Sequence, residues 1–378
     1  MYIHRVIEKS IKEKLRTKKR IIILYGARQT GKTTLANALI KESRYKTLKI
    51  NGDLPEYTEL FSTPDLASLR GMVSNYELLF IDEAQKLPNI DKILKIFHDE
   101  FPDLKVLVTG SSSLDLSSRV TEPLTGRKIE YLLFPFAFEE IKSDNPIENK
   151  SLVSEMMVYG SYPEVITEKN YQEKQEIILE ISRSYLFKDL LSLAKIRYPH
   201  KLIRLTRLLA YQTGNTVSVH ELSQSLSLNH ETIENYLDLL EKTFVIFRLP
   251  PFESNMRKTL KKQNKIFFYD LGIRNALIED FRPVRDRNDT GQLWENFIIL
   301  ERRKLLYNHR ILFSHFFWRT YDGAEIDLVE KKGTELLAKE IKFSKARRSP
   351  PNSWKAEHPE VPFHSVTYNN FQDFLLKI

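Results

Sequence analysis

Two groups of residues in this 378-residue chain have the types and spacing for chemistry on phosphates. The first is "GARQTGKT", Gly26 to Thr33, which matches G-x-x-x-x-G-K-[ST]. It follows the apolar run "RIIILY" and precedes the helical pattern "TTLANALIKE", the setting this motif requires. Gly26 and Gly31 let the backbone curl so that consecutive N–H groups point at a phosphate, and the helix N-terminus adds partial positive charge. Gly26, Ala27, Arg28, Gln29, Thr30 and Gly31, followed by Lys32, Thr33 and Thr34, are therefore expected to hold a nucleotide. Lys32 reaches the β- and γ-phosphates, and the Thr33 hydroxyl ligates Mg²⁺. The partner motif is "LLFIDEAQKLP". Its apolar run puts Asp82 and Glu83 at the C-terminal end of a buried strand, where open α/β sheets bind ligands. There Asp82 holds Mg²⁺ through water, and Glu83 polarises the attacking water. The chain lacks the N-K-x-D pattern that reads guanine, so ATP is the expected nucleotide. "KVLVTGSSS" places Thr109, Ser111 and Ser112 at a neighbouring strand end, to sense the γ-phosphate or position water. Arg119 and Arg127 follow as candidate arginine fingers, acting in the same chain or across a subunit interface.

The second group lies near the C-terminus, in "EIDLVEKKGTELLAKEIKFSK", residues 325 to 345. The tripeptide E-x-K occurs four times, starting at Glu140, Glu148, Glu330 and Glu340, so context must select one. "AEIDLVE" alternates, with Ile326 and Leu328 on one face and Glu325 and Asp327 on the other. "TELLAKEIKF" reads as the next strand across the turn "KKGT", and side chains two apart share a face. Pairing of these strands brings Asp327, Glu340 and Lys342 together. Two carboxylates can bind Mg²⁺, and a neighbouring Lys can orient a water for attack on phosphorus. Glu295, on the amphipathic helix "GQLWENFIILERRKLL", would complete the metal shell. The plainer alternative is the charged solvent face of a two-stranded ribbon.

The elements that position these groups follow from periodicity. Residues 20–136 alternate short apolar strands with helical stretches, an α/β signature, and the strands are continuously apolar as strands covered on both faces must be. Residues 137–214 read as helices, and 215–256 as a helix-turn-helix closed by a ribbon. "KIFFYDLG" then opens a last α/β segment, 257–378. Asn229 reads as an N-cap, and Ile233, Tyr236, Leu237 and Leu240 form one buried stripe. The exposed face of that helix carries Glu231, Glu234, Asp238 and Glu241, which phosphates would repel, leaving Arg248, Arg257 and Lys258 near the ribbon for DNA. Apolar content of 42% and charged content of 29% are ordinary for a soluble chain, and no apolar run is long enough for a membrane span. The first residues lack the apolar core of a secretory signal, and there is no cysteine, which fits a reducing cytoplasm. Net charge is +8, concentrated in residues 1–20 and 257–310, a candidate polyanion-facing surface.

Together these motifs resemble a widespread prokaryotic family of AAA+-superfamily ATPases whose C-terminal region contains a winged helix and a nuclease-like end. The match rests on "GARQTGKTTL", "LLFIDEAQKLP", "VLVTGSSS", "EPLTGRKIEYLLFPFAFEE", "YGSYPEV", the helix-turn-helix stretch, "KIFFYDLGIRNAL" and "WENFIILERRKLL…FFWRTYDGAEIDLV…AKEIKFS". The resemblance implies a P-loop NTPase (AAA+-like) three-layer α/β sandwich in 1–136, a helical region, a winged-helix-like module and a C-terminal α/β domain of the PD-(D/E)xK nuclease type. In that domain Asp327, Glu340 and Lys342 are the motif positions and Glu295 the helix carboxylate. Two functions are expected from it. One is an ATPase acting on DNA, with turnover coupled to Mg²⁺-dependent cutting. The other is an ATP-driven switch that grips a protein partner, or assembles as a homo-oligomer, with a nuclease fold that does not cut.

Overall fold

Continuous apolar runs become the strands of the N-terminal sheet: β1 (Ile21–Tyr25), β2 (Thr47–Asn51), β3 (Leu78–Asp82), β4 (Lys105–Gly110) and β5 (Lys128–Leu132). All pair in parallel, in the order β2-β3-β4-β1-β5. Alternation decides which face each side chain joins. Ile21, Ile23, Leu79 and Ile81 pack in one core with Ile93, Leu94 and Phe97 of the helix Ile90–Glu100. Ile22, Leu24, Leu78 and Phe80 pack in the other, with Leu35, Ala36 and Leu39 of the helix Lys32–Ser43. This is a three-layer α/β sandwich. Because β1 lies between β4 and β5, its C-terminal end opens where the strand order reverses, the place where such sheets bind ligands.

The computed structural model describes residues 2–378 except 18, 64, 112–123, 125, 185–195 and 253–262. The chain divides into two compact units, residues 2–135 and 136–378.

The second unit begins with helices and then forms a helix-turn-helix, Val219–Leu226 and His230–Lys242. The Asn229 side chain caps the second of these, accepting from the Thr232 N–H at 2.7 Å. The ribbon that follows is not contained in residues 215–256. Strand β6 (Ile246–Leu249) pairs antiparallel with β7 (Lys265–Phe268), so "KIFF" completes the ribbon instead of opening the last segment. The final sheet is β11-β10-β9-β8, formed by β8 (Ser314–Arg319), β9 (Glu325–Lys332), β10 (Glu335–Ile341) and β11 (Phe363–Val366). β8, β9 and β10 are antiparallel, and β11 lies parallel to β10.

One helix, Thr290–Asn308, ties these parts together. The buried Asn296 side chain clamps β7, accepting from the Phe268 N–H at 2.8 Å and donating to the Phe268 carbonyl at 2.9 Å. Arg302 binds Glu330 of β9 through Nε and Nη2, both at 2.8 Å, and His315 of β8 meets the same carboxylate at 3.1 Å. Burial alone would raise the Glu330 carboxyl; the hydrogen bonds from Arg302 and His315 hold it well below the usual range. Glu330 heads one of the four E-x-K tripeptides, and its carboxylate is consumed by this buried pair. Removing one partner of a buried ion pair strands the other charge, at a cost of about 3–5 kcal/mol. Arg302→Ala should therefore lower the stability of this unit by about that amount, read as a shift of the denaturant midpoint.

Candidate functional site

The N-terminal site is built at the junction of β1 and the helix Lys32–Ser43. Gly26 (φ 146) and Gly31 (φ 91) occupy backbone conformations open to glycine, and Gln29 (φ 59) adopts the left-handed region between them. A Cβ on Gly26 would lie 2.3 Å from the Leu133 carbonyl oxygen, so no other residue fits there. The Thr30 hydroxyl donates to the Ala27 carbonyl at 2.9 Å and fixes the turn from within. Lys32 is buried, and its ammonium donates to the Gly26 and Ala27 carbonyls at 3.0 and 2.7 Å, so it lies over the concave side of the loop. Arg28 and Thr34, expected at this site, are respectively half-buried in the loop and exposed in the first turn of the helix.

Two strand ends, those of β3 and β4, meet this loop. The Thr33 hydroxyl lies 3.1 and 3.0 Å from the two Asp82 carboxylate oxygens. The buried Thr109 hydroxyl, from the end of β4, donates to Asp82 Oδ1 and accepts from the Glu83 N–H at 3.3 Å. Thr109 thus ties the Asp82 carboxylate to the Glu83 backbone. Glu83 is left-handed (φ 49), a costly conformation for a non-glycine residue and one that accumulates at functional sites. Its Oε2 accepts from the Gln85 amide at 2.6 Å, while Gln85 Oε1 accepts from the Ser111 N–H at 3.3 Å. Gln85 thus ties Glu83 to the chain just after β4, a contact that the Asp-Glu motif alone does not reveal. The Thr33 and Asp82 oxygens are a hard donor pair of the kind Mg²⁺ takes.

Arg127 does not belong to this constellation. It precedes β5, and its carbonyl receives the Ile21 N–H at the N-terminal edge of the parallel sheet. The phosphate loop leaves the opposite edge, a five-residue strand of about 16 Å away. Arg127 instead makes a two-pronged pair with Asp99, Nε to Oδ1 at 2.9 Å and Nη2 to Oδ2 at 3.1 Å. Those bonds, with His98 beside it, bring the Asp99 carboxyl down to about 2. Its role as a finger on its own chain's nucleotide is excluded by placement. Arg119 and Ser112 lie outside the described residues.

In the second unit, β9 and β10 pair with Lys339 opposite Leu328, and the strand ends bring Asp327, Glu340 and Lys342 together. Asp327 and Glu340 are buried, while Lys342 is half open to solvent. The Lys342 ammonium lies 3.0 Å from Asp327 Oδ2 and 3.1 Å from Glu340 Oε1. Asp327 Oδ2 also accepts from the Ile341 N–H at 2.7 Å. Burial, and then the Asp327 charge, raise the Glu340 carboxyl. Glu340 Oε2 is buried with no hydrogen-bond partner, an orphaned oxygen that fits a cation.

The expected two-face alternation of β9 fails in an informative way. Phe316 pairs with Val329 and Trp318 with Ile326, so two residues of β9, Asp327 and Leu328, stand opposite Phe317 alone. This is a β-bulge, a device that re-aims a side chain. Consequently Ile326, Asp327, Leu328 and Val329 are all buried.

Glu295, the expected helix carboxylate, reaches the cluster. Ligand oxygens of Glu295, Glu325 and Asp327 lie within 4.8 Å of one another. Lys265 of β7 stands among them, its ammonium 2.7 Å from Glu295 Oε1 and also paired with Glu325 Oε1. Burial pushes the Glu295 carboxyl up to about 7 against the pull of Lys265. Glu325 and Lys265 were not foreseen as site residues. The E-x-D spacing of Glu325 and Asp327 was the available signal for the first.

Around the helix-turn-helix, Arg248 is not free for a nucleic acid. It meets Asp238 at 2.5 Å, Glu241 at 3.6 Å and Glu234 at 3.8 Å, all on the acidic face of its own module. Arg257 and Lys258 lie outside the described residues. No described helix is long and apolar enough to cross a membrane.

The phosphate loop, the carboxylates at the adjoining strand end and the order of the parallel sheet give the N-terminal unit an AAA+-like P-loop fold, and residues 18–142 match an AAA domain. Residues 150–283 and 290–366 match two domains of unknown function, DUF8612 and DUF4143. An uncharacterised protein of Mycobacterium tuberculosis is 28% identical over 336 residues, covering 88% of this chain and 71% of its own length. One from Haemophilus influenzae is 26% identical over 346 residues, covering 85% and 82%. Among solved structures, the Walker-type ATPase PABY2304 of Pyrococcus abyssi has a TM-score of 0.47 at 19% identity, covering 72% of this chain and 94% of its own. The RuvB Holliday junction branch migration motor of Thermotoga maritima has a TM-score of 0.32 at 17% identity, covering 69% and 95%.

Thr33→Ala should weaken Mg-ATP binding by about 10–100-fold, the usual loss when a metal's support is removed. Arg127→Ala should leave ATP affinity within about twofold, as for a surface substitution. Titration calorimetry on the two variants checks both.

Proposed function

We propose that this protein hydrolyses ATP at the N-terminal loop and couples turnover to cleavage of DNA by the C-terminal centre. The observation that carries the reading is the convergence of Asp327, Glu340 and Lys342, with a buried Glu340 oxygen left without a partner. At the ATP site, Lys32 and the loop N–H groups bind and orient the triphosphate, and Glu83, held by Gln85, takes the proton of the attacking water. Thr33 and Asp82 would hold its Mg²⁺, which neutralises the developing charge. At the C-terminal centre, Asp327 and Glu340 would hold a divalent ion that polarises the scissile phosphate. Lys342, half-exposed and shared between the two carboxylates, orients the water or the phosphate oxygen beside them. The helix-turn-helix and ribbon form a winged-helix-like module next to this centre.

A second reading has an observation of its own. Arg248 is drawn onto Glu234, Asp238 and Glu241, so the module presents acid where a DNA reader presents base. This favours a protein partner at the module, with the C-terminal fold gripping and not cutting.

A plasmid-nicking assay with Mg²⁺ or Mn²⁺ separates the two. The cutting reading expects wild type to nick DNA, and expects Asp327→Ala and Lys342→Ala to stop nicking while ATP turnover continues. Glu83→Gln should lower ATP turnover by about 10²–10⁴-fold, the range for loss of a general base. Nicking absent across metals, nucleotides and DNA forms would leave the protein-partner reading.

A further inference from the structure

The C-terminal cluster contains more carboxylate than one ammonium can balance, and its second lysine comes from another part of the fold. Glu295, Glu325, Asp327 and Glu340 face two ammonium groups, those of Lys265 and Lys342. Lys342 is half-exposed at the mouth, whereas the Lys265 side chain is only 4% exposed. Lys265 is also fixed from several sides. Its backbone pairs with Leu249 across the ribbon and bridges to Thr216. Three residues on, Asn296 clamps the same strand to the helix that carries Glu295. Gly214 lies against Glu295, where a Cβ would sit 3.4 Å from its Oε2. The ammonium is therefore delivered to the carboxylates by paired elements, and it stands over the Phe317 ring, 5.5 Å from the centroid.

Resting on the reading of this site as a cleavage centre, we propose that Lys265 is its built-in second cation. It holds Glu295 and Glu325 in the position where another divalent ion would be bound. The centre therefore takes a single divalent ion, at Asp327 and Glu340. Two guanidinium groups stand farther off, Arg319 at 3.9 Å from Glu325 and Arg347 at 3.8 Å from Glu340. The orphaned oxygen lies on Glu340, whose ion pairs are with Lys342 and Arg347 and not with Lys265. Lys265, Glu295 and Glu325 are accordingly positioning residues, and Glu295 is not a metal ligand.

The test is Mn²⁺ binding to the full chain, followed by calorimetry and electron paramagnetic resonance, in an Asp82→Asn background that removes the carboxylate of the ATP site. The chain with Lys265 intact should bind one ion, lost on Glu340→Gln. Lys265→Met should bind a second ion, and Lys265→Arg should remain at one. Glu295→Gln and Glu325→Gln do not depend on the Lys265→Met variant folding. They should change affinity by no more than about threefold, against the roughly 10–100-fold loss expected if either supported the metal. Two ions with Lys265 intact, an unchanged single ion in folded Lys265→Met, or a large loss in Glu295→Gln would overturn the role of Lys265 and leave the cleavage reading standing. No ion in the chain with Lys265 intact would overturn both.

Discussion

A carboxylate taken out of water must be met by a cation or hydrogen bonds, and the C-terminal half of this chain is organised by that constraint. Its long helix, Thr290–Asn308, meets the final sheet through two acid–base contacts. Arg302 and Glu330 close one, and Glu295 with Lys265 and Glu325 the other. The residues are seven apart on the helix, about 10 Å, so the contacts act as two separate pins. Beside the Glu295 pin, the Trp294 ring packs edge-on against Tyr368 and Phe371.

The N-terminal unit follows a different logic. Its strands are apolar on both faces, so polar groups collect at the strand ends, and at one edge of the sheet they meet a helix N-terminus. Thr33, Asp82, Glu83 and Thr109 are joined by direct hydrogen bonds drawn from three separate elements. A side chain at the other edge, such as Arg127, is separated from them by the thickness of the core however well its type suits the chemistry. Residue type nominates a candidate, and strand direction disposes of it.

This explains how much could be read from sequence. The phosphate loop and the strand ending in Asp82 were legible because their chemistry is local: a glycine pattern, an apolar run and a carboxylate pair within short windows. The grouping of Asp327, Glu340 and Lys342 was legible because it needs only one hairpin. Lys265 was not, since its partners Glu295 and Glu325 are distant in sequence and meet it only through the β6–β7 pairing and the Asn296 clamp. Assigning "KIFF" to the last segment hid that pairing. Arg127 misled because a fingerlike position after a sensing strand carries no information about which end of the sheet it occupies. Glu330 shows the converse: an E-x-K in a strand is sequestered by Arg302, a residue that no short motif links to it.

The bulge in β9 carries a last consequence. The aim of Asp327 depends on one surplus residue relative to β8, between Ile326 and Val329. Trimming that surplus would restore ideal pleating, and a strand's two-residue period would then turn the aspartate's neighbours about the backbone. The loss of a single codon here would thus re-aim Asp327 while every acidic and basic residue around it stayed in the polypeptide. Inventories of side chains would still count such a descendant as intact; only the tally of residues between flanking anchors would reveal the change.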